Sequence, residues 1–297
     1  MTNAAKVIFE NILPGIDQVS NPQYRAMVST LVTALKREEH VLISSPSSID
    51  ERGIAQLIEY IVCSIFPATV AVLTKDGSTR LIGKRARHMS KNSKDDTGIS
   101  YDSISPFLSN VCIVECFDKI SDASPIIKVM RELAVTIDDH SESVPIPFLL
   151  IALVNEKSHL PRNTLGAFSF HINIQSLPST ISRIESVLYQ GYDSFLQALS
   201  AQVFSHRDIT TYISQLVLNV DCKPLITSFI EVKTKLLLNK AIDDCAILSG
   251  RDFVMPDDVQ EIFPMLVTHK FLLPGHTNFR NCLNFVQKLI DTIPVPI

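Results

Sequence analysis

A change of period constrains this chain most. Up to about residue 177, apolar runs of strand length alternate with apolar stripes at helical spacing; beyond it only helical stripes remain. Met27, Val28, Leu31, Val32 and Leu35 form the first stripe, opened by Asn21-Pro22 and broken by Glu38-Glu39. A strand-length run at 40–44 follows, then a polar loop, then a second stripe of Ile54, Leu57, Ile58, Ile61, Val62 and Ile65. Further strand candidates lie at 69–73, 110–114, 148–153 and 170–174. Apolar strands separated by helices are the signature of βαβ units, whose parallel strands are covered on both faces. The pattern predicts an α/β domain with a five-stranded, mainly parallel sheet at 1–177 and an all-α domain at 178–297. In the second part, Ser205 with Asp208 three positions on reads as an N-cap. A stripe from 225 to 248 ends at Ser249-Gly250, and Pro256-Asp257-Asp258 opens another helix.

With 297 residues, 46% of them apolar, the chain can bury a sizeable core. Its net charge of −4 gives no bulk electrostatic reason to expect a nucleic-acid binder. Residues 1–10 lack a signal-peptide pattern, and the densest apolar run, 144–154, is interrupted by Pro145 and Pro147. A bilayer span needs about 20 apolar residues, so the expectation is a soluble chain with no membrane partner, cytoplasmic or nuclear. The six cysteines form no C-x-x-C pair and read as buried thiols. A long polar stretch, 75–102, holds Arg80, Lys84, Arg85, Arg87, Lys91 and Lys94. It could dock an acidic partner or nucleic acid, but has no aromatic before Tyr101 to stack bases; a solvated loop is the simpler reading.

Two segments carry a family resemblance. One is the helix end Ser249-Gly250-Arg251 followed by Pro256-Asp257-Asp258-Val259 and Val267-Thr268-His269-Lys270. The other is Leu160-Pro161 followed by Leu165-Gly166-Ala167-Phe168. In this order, over most of 22–273, the chain resembles the MoxR and magnesium-chelatase branch of the AAA+ ATPases. The resemblance implies a P-loop NTPase-like α/β core followed by a helical AAA lid.

It also implies a nucleotide site at named positions. The P-loop falls at 45–52, where the glycine positions hold Ser45, Ser48 and Asp50, the lysine position Glu51 and the hydroxyl position Arg52. Such a loop needs glycines for backbone N–H groups to wrap phosphate, a lysine to neutralise it and a hydroxyl for Mg²⁺. The metal-holding and water-activating acids fall at 111–118, on Glu115 and Cys116, with Asp118 two residues further on; Glu115 could still hold a metal. The polar sensor asparagine is matched by Asn155, the arginine finger by Ala167 and the second sensor arginine by Lys233. Glu115 and Asp118 read equally well as strand-end polar residues, and a strand-ending Asn such as Asn155 is also a common turn residue. ATP and Mg²⁺ are the cofactors implied, and the substitutions speak against both. The expectation is therefore a pseudo-ATPase: a non-hydrolysing interaction or assembly subunit whose partner is another protein or an AAA+ homologue, in a hetero-oligomeric ring. Two alternatives stay open. One is an active ATPase of magnesium-chelatase type with divergent phosphate contacts; the other is an adaptor that binds peptide or nucleic acid through 75–102.

Overall fold

The structure is a computed structural model that describes residue 12 and residues 22–73, 106–137, 140–178, 188–221, 232–270 and 279–296. Strands β1 (Val41–Ser45), β2 (Val70–Leu73), β3 (Val111–Val114), β6 (Leu149–Asn155) and β7 (Phe170–Asn173) form one sheet, in the order β2-β3-β6-β1-β7. Every neighbouring pair in it is parallel. The runs expected at 40–44 and 110–114 are thus near neighbours, separated only by β6. A separate antiparallel hairpin, β4 (Ala134–Ile137) with β5 (His140–Ser143), escaped the sequence reading. The second of these strands is His-Ser-Glu-Ser, without an apolar residue to mark it.

The central strands are apolar up to their carboxyl ends because both their faces are covered. Val41, Ile43, Leu149, Ile151 and Leu153 join a core on one face with α1 (Pro22–Arg37) and α2 (Glu51–Ile65). Their alternates Leu42, Leu150, Ala152 and Val154 join a smaller core on the other face with α3 (Ser124–Glu132). Edge strand β2 is less covered, with Val72 39% exposed. After the short helix α4 (Arg162–Leu165) and β7, the described residues are helical apart from one isolated bridge, Phe204 to Phe253. They form α5 (Tyr192–Ala198), α6 (Arg207–Asp221), α7 (Val232–Leu248), α8 (Pro256–Val267) and α9 (Phe279–Thr292). No helix among the described residues is long and apolar enough to cross a membrane.

Local chemistry explains where these helices start and stop. Gly250, at φ 74°, ends α7 in a left-handed residue; its N–H reaches Ile247 O at 2.8 Å, and that of Arg251 reaches Ala246 O at 3.0 Å. This pairing is a Schellman cap, and glycine takes that φ without a Cβ penalty. Arg251 then forks onto the buried carboxylate of Asp258, at 2.8 and 2.5 Å. Asp258 also accepts the N–H of Met255 at 2.8 Å, satisfying a donor at the head of α8. The Gly-Arg…Pro-Asp-Asp segment is therefore one device that joins two lid helices. At α6 the structure corrects the cap: the helix starts at Arg207, and His206, not Ser205, accepts the first amide, from Thr210 at 3.1 Å.

Three histidines are buried as neutral packing groups. His40 Nδ1 accepts Leu150 N–H at 3.1 Å, which leaves Nε2 to donate to Met130 O at 3.4 Å. His171 Nε2 shares a 2.8 Å hydrogen bond with Ser44 Oγ, and His269 Nε2 lies 2.9 Å from Phe168 O. Ser44 and His171 are 0% and 3% exposed, so this serine–histidine pair is closed to any substrate. Burial lowers the affinity of all three rings for a proton, that of His171 to about 3. The unfolded ring takes a proton below about 6.5, so stability from His171 is present above that pH and is lost on acidification. At pH 5 the loss is about 2 kcal/mol for this ring. Urea unfolding at pH 7.5 and pH 5 should show a stability fall larger in the parent than in His171→Gln by about that amount. Equal falls would contradict the assignment.

Candidate nucleotide site

In open parallel α/β sheets, ligands bind outside the carboxyl ends of the central strands. Here β1, β3 and β6 end together, and the residues matched to the nucleotide site gather around those ends. After β1 the chain makes a tight turn, Ile49 N–H to Pro46 O at 3.0 Å, and enters α2. No residue from 45 to 52 has a positive φ. A backbone nest that cradles an anion is built by pairing right- and left-handed residues, and this loop has none of the latter. Ser45, buried, accepts Glu156 N–H on its carbonyl at 2.9 Å, which ties the loop base to the end of β6; Ser48 is exposed in the turn. Gly53 lies past the loop and serves packing, since a Cβ there would come within 2.6 Å of Leu177 Cδ1.

The head of α2 is occupied by the chain's own acids. Asp50 is the N-cap and accepts Arg52 N–H at 3.1 Å. Glu51 Oε2 accepts the backbone N–H of Cys116 at 2.6 Å, bridging α2 to the end of β3. Cys116 itself is left-handed, at φ 49°, which few residues other than glycine adopt. The Glu115 carboxyl is held above its ordinary range by burial first and then by Glu51, with Arg52 pulling the other way and Asp50 adding to the rise. The Cys116 thiol is likewise pushed up by burial and by Glu51, while Lys119 Nζ approaches its Sγ at 3.6 Å.

Asp118 accepts the Ser158 hydroxyl on Oδ2; its Oδ1 is buried and has no hydrogen-bond partner among the described residues. Asn155 stands opposite Ser45 in the β1–β6 register, and its Oδ1 accepts Lys157 N–H at 2.9 Å. Ser45, Glu51, Arg52, Glu115, Asp118 and Asn155 thus share the strand-end region. Among the described residues no group of three or more His, Cys, Asp or Glu side chains is arranged to hold a metal ion. Ala167, at the finger position, sits in the turn after α4, with its N–H on Thr164 O at 3.1 Å. The basic stretch 75–102 lies outside the described residues.

Lys233 is not part of this group, contrary to the expectation from its position. Its ammonium pairs with Glu39 Oε2 at 2.9 Å. Glu39 precedes β1, so Lys233 sits at the opposite end of a strand roughly 16 Å long. The cause is the seating of α7 along α1, which carries the head of α7 to the start of the sheet. A sequence match gives a position in the chain and not the face a helix end turns to. The Glu51 bridge was also hidden from sequence, because the partner it found is a backbone amide 65 residues away.

The comparisons with known proteins agree with this architecture. The model of the AAA lid domain matches residues 231–279. The chain is 24% identical to Chaperone MoxR1 of Mycobacterium tuberculosis over 302 aligned positions, 90% of this chain and 75% of that protein. It is 24% identical to YeaC, an uncharacterized protein of Bacillus subtilis, over 215 positions, 65% of this chain and 67% of that one. In structure it superimposes on a candidate ATPase from Cytophaga hutchinsonii with a TM-score of 0.74 at 14% identity, covering 100% of this chain and 96% of that one. The parallel sheet, the helical lid and these relatives together support a MoxR-like AAA+ family for this chain.

Proposed function

We propose that this chain is a non-hydrolysing AAA+ module that acts by assembly with other proteins, an AAA+ homologue among them. The observation that carries this reading is the Glu51 carboxylate on the Cys116 amide. A helix N-terminus next to a glycine-rich loop attracts phosphate because its free N–H groups and dipole favour an anion. At the head of α2 that role is already taken by Asp50 and Glu51, and the loop lacks the left-handed residues of a nest. A phosphate oxygen about 4 Å from Glu51 would meet repulsion of about 4 kcal/mol per unit charge at an effective dielectric near 20. That is nearly a thousand-fold in affinity. Even a bound nucleotide would find a thiol, Cys116, in place of the water-activating carboxylate, and no cation at Ala167. The residues present do not fit ATP with Mg²⁺.

Phosphate release from ATP and Mg²⁺, measured on the purified chain beside Glu115→Ala, tests this reading. The expected result is no turnover above background in either protein. Steady turnover that disappears in Glu115→Ala would establish instead an ATPase with divergent phosphate contacts.

A further inference from the structure

Two extended segments of the lid meet at Phe204 and Phe253. Phe204 N–H donates to Asp252 O at 2.7 Å, and Val254 N–H donates to Phe204 O at 3.0 Å, so the two phenylalanines are direct partners in a parallel bridge. Partners in such a bridge turn their side chains to one face, and residues along each segment alternate between faces. Val203 accordingly packs against the main core and Val254 is buried, while Phe204 is 64% exposed, Phe253 47% and Met255 38%. Two backbone hydrogen bonds thus hold two aromatic rings on the outside, with a methionine next on the same face. A single exposed apolar side chain is ordinary; three fixed on one face mark an interaction surface.

The charges beside these side chains select the occupant. Asp252 directly precedes Phe253, Asp257 lies two residues beyond Met255, and Asp208 opens α6 four residues beyond Phe204; all three are exposed. Asp208 pairs with His206 at 3.2 Å. Of the two arginines here, Arg251 is already forked by buried Asp258, which leaves exposed Arg207. The local charge is therefore negative, and it favours and steers a cationic partner. Arg251 also shows what the rings accept, since its guanidinium lies 5.8 Å from the centroid of Phe253. A guanidinium stacks on an aromatic face and forks a carboxylate, which an ammonium does less well. We propose that the Phe204–Phe253–Met255 face docks an arginine-bearing segment of a partner protein, whose apolar side chains cover the rings and whose guanidinium groups meet Asp252 and Asp257. This gives the assembly reading a surface. None of these residues belongs to the strand-end cleft and the test uses no nucleotide, so failure here and ATP turnover there are separate results.

The test is fluorescence anisotropy on the full chain with three labelled 12-residue peptides. All carry leucine at the same three positions; the flanking charged residues are arginine in one, lysine in the second and glutamate in the third. The arginine peptide is expected to bind at least three-fold more tightly than the lysine peptide and at least ten-fold more tightly than the glutamate peptide. Phe204→Ser with Phe253→Ser should weaken the arginine peptide at least ten-fold, and Asp252→Asn with Asp257→Asn at least five-fold. Glu132→Gln, which removes an exposed carboxylate of α3 in the sheet domain, should leave it unchanged. The phenylalanines are exposed, so their variants are expected to keep the parent's circular dichroism and melting temperature; should the double variant unfold, Phe204→Ser alone is expected to weaken the arginine peptide. Failure of all three peptides to bind, equal or tighter binding of the lysine or glutamate peptide, indifference to the phenylalanine variants, or an equal loss in Glu132→Gln would overturn the proposal. So would a parent oligomer in sedimentation velocity that Phe204→Ser dissociates, because a second copy would then cover this face.

Discussion

Asp244→Ala is expected to destabilise this protein by about 3–5 kcal/mol, the cost of leaving buried partners of a carboxylate uncompensated. Asp244 sits on α7 with its side chain 2% exposed. It accepts Arg37 Nε at 2.8 Å and Arg37 Nη2 at 2.9 Å, and it pairs with Lys36. Both cations come from the last turn of α1, where they also offset the negative end of the helix dipole. Lys36 donates in addition to Leu199 O at 2.7 Å, so one cluster holds α1, α5 and α7 together. Removing the carboxylate strands two charges in a low-dielectric seam between the lid and the sheet domain. The melting temperature should fall by roughly 10 °C for a chain of this size. Asp244→Asn, which keeps an acceptor without the charge, should fall less. Urea titration with the parent as reference reads the difference, and a loss below about 1 kcal/mol, the scale of an exposed ion pair, would show that the cluster is incidental.

Glu51→Lys combined with Arg52→Thr is expected to raise affinity for ATP and Mg²⁺ at least ten-fold over the parent without restoring turnover. The lysine replaces an anion by a cation at the head of α2, and the threonine supplies a metal-ligand hydroxyl. The gain stays well below the electrostatic limit because the turn at 46–49 retains its side chains and has no left-handed residue. Hydrolysis stays absent, since Cys116 still replaces the carboxylate and Ala167 still replaces the finger. Loss of the Glu51 bond to Cys116 N–H also leaves a partly buried amide without its acceptor, which costs about 1–3 kcal/mol. The two proteins should therefore be compared at equal distance below their melting temperatures. Parent affinity equal to that of the double variant would mean that Glu51 is not what excludes phosphate.

The sheet was legible because β3 and β6, and β1 up to its two closing serines, are apolar on both faces, a pattern that strands covered on both faces require. The lid was legible because Gly250, Arg251 and Asp258 have local work: one closes a helix, and the other two join it to the next. Hairpin β4–β5 was not legible, since backbone pairing rather than an apolar pattern defines it. In the site, residues on the loop and strand ends were placed by their neighbours in sequence, so Glu51, Glu115 and Asn155 came together. Lys233 failed because its position depends on how α7 lies on α1, and the long-range pair Arg37–Asp244 that sets this has no signature in either segment alone. The bond from Glu51 to Cys116 was invisible for the same reason: a carboxylate at a lysine position says what is repelled, not which amide it will find.

The reading of the site rests on whether the unaltered protein takes up nucleotide. Titration calorimetry of the parent chain with ATP in the presence of Mg²⁺ measures this directly, because binding is detected whether or not hydrolysis follows. With Asp50 and Glu51 at the head of α2, the expected result is no saturable heat, corresponding to a Kd weaker than about 1 mM. Saturable one-to-one binding in the micromolar range would contradict it, and would mean that the strand-end cleft opens the Glu51 bridge to admit phosphate.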